Sequence, residues 1–115
     1  MDITAVLHII ACIALIFFGV YSILQPLASA KLAHLTPDDN TGRAEVRISF
    51  GGLSLAMGAA PMLLNEPAGY RVVGLIWLGV FIVRLIATYL DRPKLAQTYL
   101  ISGAFELVVG LMLFV

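Results

Sequence analysis

The sequence predicts an all-α protein, an integral membrane up-down four-helix bundle in which residues 1–115 form a single transmembrane domain. Three observations predict it. The chain of 115 residues is 61% hydrophobic and 12% charged, with mean hydropathy +1.00, whereas a soluble domain is about a quarter charged. Its apolar residues collect in four stretches, each close to the roughly 20 residues that a spanning helix needs. Most of the connections are short, which makes consecutive helices antiparallel neighbours. A water-soluble fold of this size lacks the polar surface to cover so much apolar area. The lipid bilayer is the expected covering.

The first helix is expected over about 3–24, because Ile3–Leu24 carries no Asp, Glu, Lys or Arg. Met1-Asp2-Ile3 places no basic residue before this run, and the run exceeds a signal-peptide core, so it reads as a retained transmembrane helix. Gln25-Pro26 ends it, since proline removes a donor and restricts the preceding residue. Residues 27–42 form the longest connection. Within it, Pro26–Leu35 suits a short helix lying at the interface, and Thr36-Pro37-Asp38-Asp39-Asn40-Thr41-Gly42 is a turn and helix-start signature. The second helix is expected over about 43–64. Arg43, Glu45 and Arg47 occupy its first two turns, 18 uncharged residues follow from Ile48 to Asn65, and Pro61 is expected to kink it or end it a turn early. After Asn65-Glu66-Pro67-Ala68-Gly69, the third helix is expected over about 70–90, with Arg84 as its interior charge. Asp91-Arg92-Pro93-Lys94 leads into the fourth, over about 95–115, with Glu106 inside it.

Loop charge sets the expected orientation. Lys31, Arg43, Arg92 and Lys94, with Arg47 close by, lie at one end; Arg71 alone lies at the other, with Asp2 and Glu66. The positive-inside rule then puts both termini on the non-cytoplasmic side. Tyr70 and Trp77 toward one side, and Tyr21, Tyr89 and Tyr99 toward the other, are expected interface anchors.

Several function classes are disfavoured. Seven basic and seven acidic residues balance, so no basic surface points to nucleic acid. A single cysteine, Cys12, excludes an internal disulfide and a thiol redox pair. His8 lies one turn from Cys12, but a metal site needs two further ligands at that depth and the sequence offers none. His8 is expected to be packed or hydrogen-bonded, and Cys12 to behave as a small hydrophobe. No catalytic triad, phosphate loop or dinucleotide motif is present. No catalytic residue, metal or cofactor is therefore assigned, and an enzyme is the weakest reading.

The candidate site is the cluster Glu45, Arg47, Arg84 and Glu106. At 1.5 Å per residue Glu106 lies about 18 Å from Lys94 and about 14 Å from Val115, near the bilayer midplane. Arg84 lies about 10 Å inside its helix from Asp91. Helical spacing aligns Tyr99, Ser102, Gly103, Glu106 and Gly110 on one face, and Trp77, Phe81, Arg84, Thr88 and Asp91 on another. On the second helix Arg43, Arg47, Gly51, Ser54 and Gly58 make one polar and small stripe, and Glu45, Ser49, Gly52 and Ala56 a second. Charges in hydrocarbon are costly, so all four are expected to face the bundle interior. Two readings stand side by side. One is an ion, proton or polar-headgroup site, in which an unpartnered midplane glutamate takes up a proton because desolvation disfavours its charged form. The other is a fixed Arg84–Glu106 or Arg47–Glu106 pair that sets helix register.

At Arg43-Ala44-Glu45-Val46-Arg47, Phe50-Gly51-Gly52-Leu53, Arg84 and Glu106, the chain resembles small bacterial four-helix membrane proteins of unknown function, near the DoxX-like set. The resemblance implies a bacterial inner (cytoplasmic) membrane location and four helices, and brings no established activity. DoxX-like proteins are associated with oxidoreductase partners, but this chain lacks the cysteine pair of thiol chemistry. Two functions are expected. The first is a non-enzymatic helix-packing subunit or accessory component of a membrane complex. Its partners are the bilayer, other membrane subunits or copies of itself, met through small-residue faces. The alternative is a small carrier or ligand-binding protein that uses the Arg/Glu cluster for a proton, an anion or a quinone-like headgroup. Carriers tend to have helices broken at the midplane, and here only Pro61, near a helix end, suggests a break.

Overall fold

Asp2 starts the structure as described, a computed structural model covering residues 2–115. Its carboxylate accepts the Ala5 N–H at 2.9 Å and caps α1 (Ile3–Leu24). This satisfies one of the free donors at a helix start. Gln25 breaks the helix, and Pro26 opens α2 (Pro26–Leu32) at the position where its missing N–H costs nothing. His34 turns the chain with φ 59°. Asp39 then caps the next helix through Gly42 N–H at 2.8 Å.

That helix is one rod over Asn40–Leu64 in three parts: α3 (Asn40–Val46), a π-helical turn (Arg47–Gly52) and α4 (Leu53–Leu64). It begins three residues before the expected Arg43, because Asp39 is the cap and Gly42 lies inside the first turn. No π turn is expected from the sequence. Pro61 does not end the rod early: it is fully buried within α4, and Asn65 in the left-handed conformation closes the helix. Gly69, at the start of the next helix, lies against it. Pro67 opens α5 (Pro67–Asp91), which Arg92 ends at φ 46°. An extended stretch leads to α6 (Gln97–Phe114), two residues later than expected because Ala96 is still extended at ψ 156°.

Among the described residues every regular element is helical, and four rods are long and apolar enough to cross a membrane: Ile3–Leu24, Asn40–Leu64, Pro67–Asp91 and Gln97–Phe114. They pack as two hairpins, α1 against the Asn40–Leu64 rod and α5 against α6, with lighter contact between the hairpins. Glycine seams each hairpin. A Cβ at Gly19 would lie 2.7 Å from the Gly51 carbonyl, and one at Gly74 would lie 2.9 Å from the Gly110 carbonyl. Such backbone approach admits no side chain. Between the hairpins lies a small core of Ala11, Cys12, Leu15, Val73, Val109 and Leu113. The Cα envelope measures 44 × 32 × 18 Å, long and flat.

The aromatic anchors are only partly as expected. Tyr89 is exposed, but Trp77 packs edge-on against Phe105 at 5.8 Å and flanks the core. Tyr70 stacks on His8 at 4.4 Å. Their faces on α5 point at the neighbouring helices.

Candidate functional site

Arg84 and Glu106 meet within the α5–α6 hairpin. Arg84 Nε donates to Glu106 Oε1 and Nη2 donates to Oε2, both at 2.6 Å. This is the two-pronged geometry that suits a guanidinium and a carboxylate. Glu106 is buried, and the Arg84 side chain is 24% exposed. Among the described residues it is the one ion pair.

The surroundings hold the arginine in place. Its guanidinium lies over the Tyr99 ring, 4.8 Å from the centroid, in cation–π geometry. Tyr99 is anchored by a 2.5 Å hydroxyl contact with Thr88, whose own hydroxyl also donates to the Arg84 carbonyl at 2.7 Å. Gly103 makes room: a Cβ there would come within 3.2 Å of Arg84 Cδ. The two faces read from helical spacing therefore meet each other, with Thr88, Arg84 and Phe81 opposite Tyr99, Gly103 and Glu106. Ser102 is the exception, donating back to Thr98 O at 2.9 Å.

Arg47 and Glu45 do not join this pair. Arg47 is exposed and donates through Nη1 to the Ile23 carbonyl at the end of α1. The pairing with Glu106 is thus made by Arg84, not Arg47. Glu45 is exposed, as are Ser49, Gly52 and Ala56, so this second stripe of the rod points outward instead of inward. The physical reason is packing: the first stripe, Arg47, Gly51, Ser54 and Gly58, is the one α1 covers. Gly51 meets Ile23, Ser54 Oγ donates to Leu15 O at 2.9 Å, and Gly58 lies against Cys12 and Ile16. Exposed Arg43, one turn outside Arg47, belongs to the same end.

Sequence reasoning missed three features. Ser22 and Ser29 are fully buried and share a 2.6 Å hydroxyl contact that folds α2 back on α1. Exposed His34 Nε2 meets Thr98 Oγ1 at 2.8 Å and ties the long connection to α6. His8 is packed by its ring against Tyr70, but its buried Nε2 and the buried Trp77 Nε1 have no hydrogen-bond partner among the described residues. Polar residues seven to sixty-four positions apart leave no local pattern by which such pairings are read. Cys12 is fully buried among apolar side chains. No three His, Cys, Asp or Glu side chains among the described residues are grouped to hold a metal.

With each carboxylate oxygen accepting from one guanidinium nitrogen, the pair cross-links α5 to α6. Arg84 Nη1 is its one nitrogen without a hydrogen bond. No family model matches the chain, and no curated protein or solved structure matches it.

Proposed function

We propose that this chain is a multi-pass protein of the bacterial inner membrane, a four-helix bundle with both termini on the non-cytoplasmic side. In this reading it acts without catalysis, as a helix-packing subunit or accessory component of a membrane complex or of its own oligomer. One observation carries the reading: the strongest polar interaction is closed within one hairpin, while that hairpin's outer face is left open. Only 11% of the α5 spanning window is buried, against 28% for each of the other three. Leu75, Ile76, Ile82, Val83 and Ile86 are exposed on α5 around Gly79, where an added Cβ would meet nothing within 4 Å. Glycine in a helix costs about 1 kcal/mol relative to alanine. One that serves no internal contact suits close approach by another helix. The resemblance to small four-helix membrane proteins near the DoxX-like set agrees with this proposal and adds no activity to it.

Native gel sizing of the untagged protein in mild detergent tests the role. A discrete species larger than one chain is expected, reduced to a single chain by Gly79→Leu. A strictly monomeric, partner-free wild type refutes it.

One observation favours the carrier reading: Arg84 retains an unbonded nitrogen and partial exposure. A small anion or quinone-like carbonyl would bind there. Binding that is lost in Arg84→Gln and Glu106→Gln proteins of intact fold supports that reading, and binding unchanged by both removes it.

A further inference from the structure

We propose that the hollow beside Arg47, where the π turn interrupts the second rod, binds the phosphate of an anionic glycerophospholipid. This rests on the membrane location proposed above.

The charge comes first. Arg47 is exposed and makes one hydrogen bond, to the uncharged Ile23 carbonyl, and no carboxylate among the described residues pairs with it. The Ile23 carbonyl holds the guanidinium in place and leaves its charge uncompensated, with further N–H donors in a planar fork. Glu45 is exposed on the stripe of Ser49 and Gly52, one turn outward from Ser49, and makes no ion pair with Arg47. Arg43, one turn outward, adds a second positive charge on the Arg47 side.

Depth comes second. The uncharged run Ile48–Asn65 spans about 27 Å at 1.5 Å per residue, close to the roughly 30 Å hydrocarbon thickness. Arg47 is the residue immediately before that run. It therefore lies at the level of the phosphates, where a bare guanidinium meets a counter-anion within reach of its side chain.

Shape comes third. The hollow has a volume of about 650 Å³ and is lined by Arg47, Ile48, Ser49, Gly52 and Leu53. Gly52 keeps one wall open, since a Cβ there would come no nearer than 4.0 Å to any neighbour, the Arg47 carbonyl. Arg47 supplies donors for an anion, and exposed Ile48 and Leu53 supply an apolar surface for the first carbons of an acyl chain. A π turn inserts one residue into the helical repeat and is frequently found at functional sites. Arg43 and Arg47 outnumber the one nearby carboxylate, Glu45, and this net positive charge favours a headgroup of net negative charge over one that carries its own ammonium.

The test uses the full chain, stripped of lipid in detergent and titrated with phosphatidylglycerol, phosphatidylcholine or inorganic phosphate, with bound species read by native mass spectrometry. Wild type is expected to hold one phosphatidylglycerol about tenfold more tightly than phosphatidylcholine, as one charge-assisted contact warrants. Arg47→Gln is expected to abolish that preference, and Lys94→Gln to leave it intact. Gly52→Leu puts a side chain into the hollow from a position where its Cβ comes no nearer than 4.0 Å to a neighbour, so it is expected to lose the lipid while the helical signal is unchanged; it decides the matter if Arg47→Gln fails to fold. Equal retention of the two lipids, or a preference that survives Gly52→Leu, overturns the proposal. Inorganic phosphate displacing the lipid at equal affinity also overturns it, in favour of a free-anion site. Membrane reading and lipid site fail separately: carbonate extraction that releases the protein sinks the first, while an integral protein with no lipid preference sinks only the second.

Discussion

Replacing Glu106 by leucine leaves the Arg84 guanidinium without its carboxylate and removes two 2.6 Å hydrogen bonds between α5 and α6. Neutral interhelical hydrogen bonds in membranes are worth about 0.6 kcal/mol each on average, and ionised partners roughly double that. Two give about 2–3 kcal/mol. Stranding one charge of a fully buried pair costs about 3–5 kcal/mol. The Arg84 side chain is 24% exposed, so the upper end is discounted. A loss of about 3 kcal/mol is expected for Glu106→Leu, and a similar loss for Arg84→Met. The double variant exchanges the pair for apolar side chains and is expected within about 1 kcal/mol of wild type, because desolvation and attraction nearly cancel in buried pairs. Denaturation in mixed micelles measures all four proteins, with the single tryptophan Trp77, packed 5.8 Å from Phe105 in the same hairpin, as the fluorescent probe. Losses below about 0.5 kcal/mol in the single variants, or losses that simply add in the double one, would refute the pair as the link between α5 and α6.

The glycine seams predict opposite outcomes for one chemical change. Gly58→Ala forces a Cβ to 2.6 Å from the Cys12 carbonyl and is expected to cost about 1–3 kcal/mol, whereas Gly79→Ala meets nothing and is expected to stabilise the isolated chain by about 0.5–1 kcal/mol, both read by the same denaturation. His8→Phe keeps the stack on Tyr70 and removes an unpartnered buried nitrogen, so a gain of about 1 kcal/mol is expected; a loss of that size would mean the nitrogen is hydrogen-bonded. Ser54→Ala deletes the bond to Leu15 O and is expected to cost about 1 kcal/mol, detectable as faster amide exchange where α4 meets α1.

The four rods were legible because length and apolarity alone decide them, and Asp39, Pro67 and Asn65 shift their ends by only a few residues. The Arg84–Glu106 pair was legible for the same reason, since two charges deep in apolar runs must find one another. The sequence leaves Arg47 open as the alternative partner of Glu106, because the group it does bond, the Ile23 carbonyl, is one that every residue possesses and that leaves no trace in a sequence. Glu45 belongs to the candidate cluster by its place in the chain, and only the packing of the rod against α1 turns it outward. The π turn was not legible either: Gly51-Gly52 signals close packing, but the extra residue in the repeat depends on how the rod seats against Gly19 and Ile23. Trp77 was placed at a water boundary by its type, whereas its position on the Arg84 face of α5 turns it toward Phe105.

An α-helix with its side chains is about 10–12 Å across. A molecule only 18 Å deep through its Cα atoms therefore stacks no more than two helices in that direction. There is no third layer, so no long rod among the described residues is enclosed on all sides, and each presents part of its apolar length to whatever surrounds the molecule.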